Sequence, residues 1–165
     1  MSMLGFGAWM PVRVHEGMVD LHLDARYSGV VEYGAPDAKL SAILEDGDIP
    51  MDRLQTMVEV AVMEKAAPII AEGVSLEGLA GLGERLTPEV REVLAGQLQE
   101  RFGSKLEDFA LYEFALRDED RKKVESLLEQ ARLALDPAAR AAMLQRRMQE
   151  ALAAAQAAQG GAGAQ

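Results

Sequence analysis

The run from Val19 to Tyr33 constrains this chain more than any other feature. Its odd positions read Val19, Leu21, Leu23, Ala25, Tyr27, Gly29, Val31 and Tyr33. Its even positions read Asp20, His22, Asp24, Arg26, Ser28, Val30 and Glu32. Alternation at period two sends successive side chains to opposite faces of a strand, one buried and one wet. A helix would scatter the same residues around its axis. The run exceeds the usual strand of about 5–6 residues, and Gly29 marks a bulge or bend within it. A shorter strand, Pro11 to Val14, precedes it across His15-Glu16-Gly17, which reads as a hairpin with Gly at the turn.

The rest of the chain is mainly helical. Gly34-Ala35-Pro36-Asp37 breaks the strand. Ala38 to Leu44 forms a short helix, stopped by Asp46-Gly47-Asp48. From Met51 a helix buries Leu54, Met57, Val58, Ala61 and Val62 on one stripe. Pro68 ends or kinks it. Gly73 to Gly83, with Gly at 73, 78, 81 and 83, reads as a loop. Thr87-Pro88-Glu89 reads as a helix start, with a cap hydroxyl, Pro at the first position and an acid at the positive dipole end. Val90, Val93, Leu94 and Leu98 are its stripe, and Gly103 suits the left-handed residue beyond its end. Lys105 to Leu116 reads as a second long strand, with Leu106, Ala110, Tyr112, Phe114 and Leu116 on its apolar face. Asp118 caps a further helix with stripe Val124, Leu127, Leu128, Ala131 and Leu135. Asp136-Pro137 permits a break and a restart. Ala138 to Ala158 is Ala-rich and favours helix, with a short seam at Ala141, Leu144, Met148, Ala151 and Ala155. The tail, Gly160 to Gln165, is expected to be disordered. The expected fold is α+β: a small antiparallel or mixed sheet packed on amphipathic helices, with a helical C-terminal extension. Its expected divisions are 8–135, 136–158 and 159–165.

Composition narrows the function classes. The 165 residues include no Cys, which removes disulfides, thiolate zinc sites and a Cys nucleophile. Aromatics are 5%, so an aliphatic core is expected, with nine Met as fillers. The formal net charge is −10, a field that repels phosphate backbones and disfavours unaided docking on anionic lipid. Nucleic acid is therefore not an expected partner. The apolar start, Met1 to Met10, lacks a basic region and a cleavage signal, so it does not read as a signal peptide. No run reaches the roughly 20 apolar residues of a membrane span.

No motif specifies catalysis. The two histidines, His15 and His22, fall at a turn and on the polar strand face. His22 with Asp20 and Asp24 is a conceivable cation cluster, but a solvated strand face accounts for it better. Glu45-Asp46 with Asp48 reads as a solvated turn, since the twelve-residue calcium-loop pattern is missing. Gly5-Phe6-Gly7 and Gly81-Leu82-Gly83 lack the strand-to-helix setting of a dinucleotide fingerprint. No Ser lies in G-x-S-x-G. Arg121-Lys122-Lys123 and Arg146-Arg147 are too short to be more than helix faces or ion-pair partners. Phe6, Trp9 and Met10 form an apolar patch that reads as core or docking edge. No catalytic, metal or cofactor residue is therefore expected.

Several stretches together resemble the SPFH (stomatin–prohibitin–flotillin, or band 7) domain, nearest to its bacterial virion-core-protein-like branch. They are Asp24-Ala-Arg-Tyr-Ser-Gly-Val-Val31 followed by Ala35-Pro-Asp-Ala-Lys-Leu40; Leu98-Gln-Glu-Arg-Phe-Gly103 followed by Leu106-Glu-Asp-Phe-Ala-Leu-Tyr-Glu-Phe114; and Arg117-Asp-Glu-Asp-Arg121. The likeness spans about residues 8–135 and rests on residue types. The longer β-rich half that the family carries before this part is not matched. The Cys ribbon of the branch has no counterpart. The resemblance implies a non-enzymatic scaffold or adaptor without cofactor, with the helices after the domain as assembly surfaces. On that reading Leu127, Leu128, Leu135, Leu144 and Met148 form the interface, and the partners are further copies of the chain and other proteins. The expected location is cytoplasmic, with a membrane met only peripherally or through a partner. The rival is a small acidic chaperone for one protein client.

Overall fold

A computed structural model describes residues 2–44 and 47–163, with side chains through 158. The chain divides into two compact units, Met1–Lys122 and Lys123–Gln165. The first holds a mixed α+β body. Strands β1 (Ser2–Glu16), β2 (Val19–Tyr33), β3 (Leu106–Leu111) and β4 (Ala115–Leu116) make one antiparallel sheet. The order is β1-β2-β3, with β4 also paired to β2. Helices α1 (Ala38–Ser41), α2 (Met51–Glu72), α3 (Leu76–Ala80) and α4 (Leu82–Phe102) lie between β2 and β3 in sequence. Helix α5 (Asp118–Leu135) crosses into the second unit, which α6 (Pro137–Gly163) completes.

The hairpin forms as the alternation implies, but β1 is far longer than Pro11–Val14. Leu4, Phe6, Met10, Val12 and Val14 are buried, while Met3, Gly5, Trp9 and Pro11 are exposed. The exposed positions are themselves apolar or Gly, so no polar residue reveals the period. Phe6 and Met10 are core, whereas Trp9 points to the outer face beneath Arg117, whose guanidinium carbon is 4.6 Å from the ring centre. The turn is two residues, Gly17-Met18, with Gly17 at φ 57°, where only Gly sits without a steric penalty.

Strand β2 passes through Gly29 without a bulge. Gly29 faces Phe6 across the ladder, and a Cβ there would lie 2.6 Å from the Phe6 ring and 2.3 Å from the Ala110 carbonyl. The glycine makes room for an aromatic cluster. Phe6 stacks on Phe109 at 5.8 Å and meets Tyr27 edge-on at 6.5 Å, and Tyr27 stacks on Phe114 at 5.1 Å. The cluster sits in a core that is otherwise aliphatic, as the low aromatic content implies: Leu4, Met10, Val12, Val14, Val19 and Val31 are buried on the same strands. The few aromatics are concentrated where the sheet meets its helices.

Burial pushes the Tyr27 hydroxyl up to about 12, with Glu59 adding to it. The protonated form is thus favoured in the folded chain, and this stability is complete below the unfolded value of 10.0. It is lost as pH rises through 12, by about 2 kcal/mol at that point. Urea titrations at pH 9 and pH 12 will show this loss in the wild type and a smaller one in Tyr27→Phe.

Helices α2 and α4 pack against each other and on the sheet. Leu54, Met57, Val58, Ala61, Val62 and Ala66 are the buried stripe of α2. Pro68 neither ends nor breaks it, since α2 runs on to Glu72. Pro68 and Glu64, whose carbonyl loses its helical donor, are both exposed, so water can satisfy that group. The Gly73–Gly83 stretch is not a loop. Ser75 caps α3, its Oγ accepting from Gly78 N at 2.9 Å, and α4 starts at Leu82. Thr87-Pro88 is thus inside α4. The Thr87 hydroxyl donates to the Gly83 carbonyl at 2.8 Å and accepts from Leu111 N at 3.1 Å, so it ties helix to strand instead of starting the helix.

Gly103 ends α4 at φ 60°, with Gly103 N and Ser104 N returning to the Gln99 and Leu98 carbonyls. The buried Ser104 hydroxyl donates to the Gly34 carbonyl at 2.7 Å, pinning the α4 exit to the end of β2. The second long strand is split into β3 and β4; Leu106 and Phe114 are buried as their even positions imply, but the phase is reversed between them. Phe109 and Leu111 are buried while Tyr112 is exposed. The register slips between Glu32 and Tyr33, leaving Glu107 as an extra residue. Such a bulge moves the later side chains of β3 to the other face.

Candidate functional site

The C-terminal helices carry every residue expected at an interface. In α5 three acids, Asp118, Glu119 and Asp120, occupy the first turn at the positive dipole end. Burial then declines along the helix. Val124 is fully buried, Leu127, Leu128 and Ala131 are half-buried, and Leu135 is 74% exposed. Glu129 and Arg132 form a close ion pair at 2.6 Å. The hydrogen bond from Arg132 holds the Glu129 carboxyl below its usual range. Both groups are largely solvent-exposed, so the pair contributes little to stability.

Asp136 then separates the two helices as a cap. Its carbonyl accepts from Arg140 N at 2.8 Å, and its Oδ1 accepts from Ala138 N at 3.0 Å and Ala139 N at 3.4 Å. Pro137 follows at the first helical position, where its missing N–H costs nothing. Helix α6 runs about 40 Å at 1.5 Å per residue. It continues through Gly163, beyond the expected end near Ala158 and into the stretch expected to be disordered; residues 164–165 lie outside the described residues.

Along α6, Leu144, Met148 and Leu152 are 51%, 66% and 60% exposed. Their spacing of four keeps them on one face. Leu152 does not fall in the seam read from the sequence, which continued through Ala151 and Ala155; recurrence four residues after Met148 is the signal that finds it. Burying one such side chain is worth about 1.5–3 kcal/mol, so a large apolar gain is available to whatever covers this face.

Elsewhere the candidate sites do not assemble. Both Asp20 carboxylate oxygens are taken by Arg13, at 2.9 and 2.8 Å, and that bond lowers the Asp20 pKa. Arg13 also donates to the Ala71 carbonyl at 2.9 Å, at the end of α2, so its charge is used structurally. Asp20 is therefore not free to join His22 and Asp24 at a cation. Glu45 and Asp46 lie outside the described residues. Asp48 accepts from Ser2 Oγ at 3.2 Å and from Ile49 N at 2.8 Å. Among the described residues no group of three or more His, Asp or Glu could hold a metal ion. A groove of about 630 Å³ opens between α2 and α4, lined by Met57, Val60 and Phe102 with Asp52, Arg53 and Arg101 exposed around them.

No protein-family model and no curated protein matches this chain. Among the described residues no helix is long and apolar enough to cross a membrane.

Proposed function

We propose that this chain is a non-enzymatic, SPFH-like scaffold or adaptor that self-associates through its C-terminal helices. The observation that carries the reading is the exposed row Leu144, Met148 and Leu152 on a long helix. Covering that row with the same row of another copy removes three large apolar side chains from water. The SPFH-like part of the reading rests on the likeness of residue types over about residues 8–135. Half-buried Leu127 and Leu128 and exposed Leu135 on α5 are further residues of the interface. The protein works in the cytoplasm and reaches a membrane only peripherally or through a partner.

A client-binding chaperone is the second reading. The α2–α4 groove favours it, because Val60, about half exposed on α2, lines it. Peptide binding there would be blocked by Val60→Glu, whereas self-association would not.

The test exploits the lack of Cys, which makes any introduced thiol unique. Met148→Cys lies on the apolar face, and Arg146→Cys lies on the opposite side of α6. At high protein concentration Met148→Cys should be alkylated about tenfold more slowly than Arg146→Cys, because access limits the thiolate. On dilution the two rates should converge. Equal rates at every concentration would refute the proposal.

A further inference from the structure

Strand β1 is an edge strand, and its outer ladder is open over most of its length. Its inner ladder pairs with β2 from Ser2 to Glu16. At the hairpin end the outer ladder is occupied: His15 N donates to the Val74 carbonyl at 2.8 Å, and Val74 N donates to the Arg13 carbonyl at 2.9 Å. Those bonds fix the phase. Backbone groups alternate sides along a strand, so Met3, Gly5, Gly7, Trp9 and Pro11 also direct theirs away from β2. None of these five has an outward backbone partner among the described residues. Pro11 sits where an edge strand tolerates it, since its missing donor faces outward.

Natural edges of this kind are blunted by charges or inward-pointing polar residues. This one has none before Pro11. Residues 1–12 contain no Asp, Glu, Lys, Arg or His, in a chain of net charge −10. The side chains flanking the free ladder are Met3, 66% exposed, and Trp9, 47% exposed, with Gly5 and Gly7 between them. A twofold contact sets a strand against its own sequence, so a charge near the centre of the pairing would approach its own copy across the axis. The uncharged stretch avoids that repulsion.

We propose that the Met3–Trp9 edge of β1 pairs antiparallel with the same edge of a second copy, joining two sheets into one. The chemistry of the edge selects an extended strand, and the lack of charge selects this strand. The register that sets Met3 beside Trp9 of the other copy, and Gly5 beside its Gly7, pairs every outward donor with an outward carbonyl. It leaves Pro11 outside the ladder. This surface is separate from the α6 face and does not depend on it.

Hydrogen exchange followed residue by residue by NMR on the full chain tests the pairing. Leu4, Phe6, Ala8 and Met10 amides face β2 and should be protected at every concentration. Gly5, Gly7 and Trp9 amides should become protected, about tenfold or more, only as concentration rises. Gly5→Pro removes one donor without touching the β2 ladder, and Gly5→Lys sets like charges together; each should abolish that protection at Gly7 and Trp9. Gly5→Val retains the donor, its Cβ enters open space, and protection should persist. Replacing Leu144, Met148 and Leu152 by Glu should leave the alternation unchanged, so a failure of the helical interface is distinguishable. Fast exchange at Gly5, Gly7 and Trp9 at all concentrations overturns the proposal, whether the edge is bare or reserved for a different protein's strand. Protection that ignores concentration or survives both Gly5→Pro and Gly5→Lys also overturns it.

Discussion

Gly29→Ala will destabilise the protein by about 3 kcal/mol or more, at the upper end for overpacking a core. The added methyl carbon would lie 2.3 Å from the Ala110 carbonyl oxygen and 2.6 Å from the Phe6 ring. The carbonyl belongs to the neighbouring strand and cannot step aside without opening the β2–β3 ladder. The ring is stacked on Phe109, which is 2% exposed, so moving it disturbs a second buried aromatic. Domain stabilities lie near 5–15 kcal/mol, and for a chain of this length each kcal/mol shifts the midpoint by roughly 2–4 °C. A drop of about 6–12 °C in the thermal midpoint is expected. Gly96→Ala, in α4 with nothing within 4 Å of its Cβ, should instead gain up to about 1 kcal/mol. Thermal unfolding of both variants checks the contrast between blocked and open space.

Replacing Leu144, Met148 and Leu152 together by Glu will remove the helical self-association while leaving the fold intact. All three side chains are more than half exposed, so the substitutions break no buried packing within the chain. Glu is a good helix former, so α6 itself should persist. In an assembled state the same positions would bring carboxylates together in a desolvated seam. Like charges there cost several kcal/mol, against about 1.5–3 kcal/mol gained for each apolar side chain buried in the native seam. Far-ultraviolet circular dichroism and the thermal midpoint of the body should match the wild type.

Legibility in the sequence followed the contrast between wet and dry faces. Strand β2 was readable because Asp20, His22, Asp24 and Arg26 punctuate its apolar positions. The α2 stripe was readable for the same reason at helical spacing. The first half of β1 was not, since Met3, Gly5, Gly7 and Trp9 oppose buried residues without adding polarity. In α4, Thr87-Pro88-Glu89 satisfies every local rule for a helix start. Tertiary structure uses the same hydroxyl to join Gly83 to Leu111 instead. The reversed phase of β3 comes from the extra residue at Glu107, and nothing in Leu106 to Leu111 announces where a bulge falls. At the C-terminus the break at Asp136-Pro137 and the Leu144–Met148 face were legible, because a cap and an i, i+4 repeat are local features. How α5 loses burial between Val124 and Leu135 was not, because a stripe of equal hydropathy does not record what covers it.

Light scattering coupled to size exclusion tests the central claim most directly. The full wild-type chain should elute as an assembly with several times the 17.9 kDa mass of one chain. The triple Glu variant at Leu144, Met148 and Leu152 should lose at least half of that mass. Adding Gly5→Pro should reduce it to single chains. A wild type that runs as one chain at every concentration, or a triple variant whose mass equals the wild type's, would contradict the account.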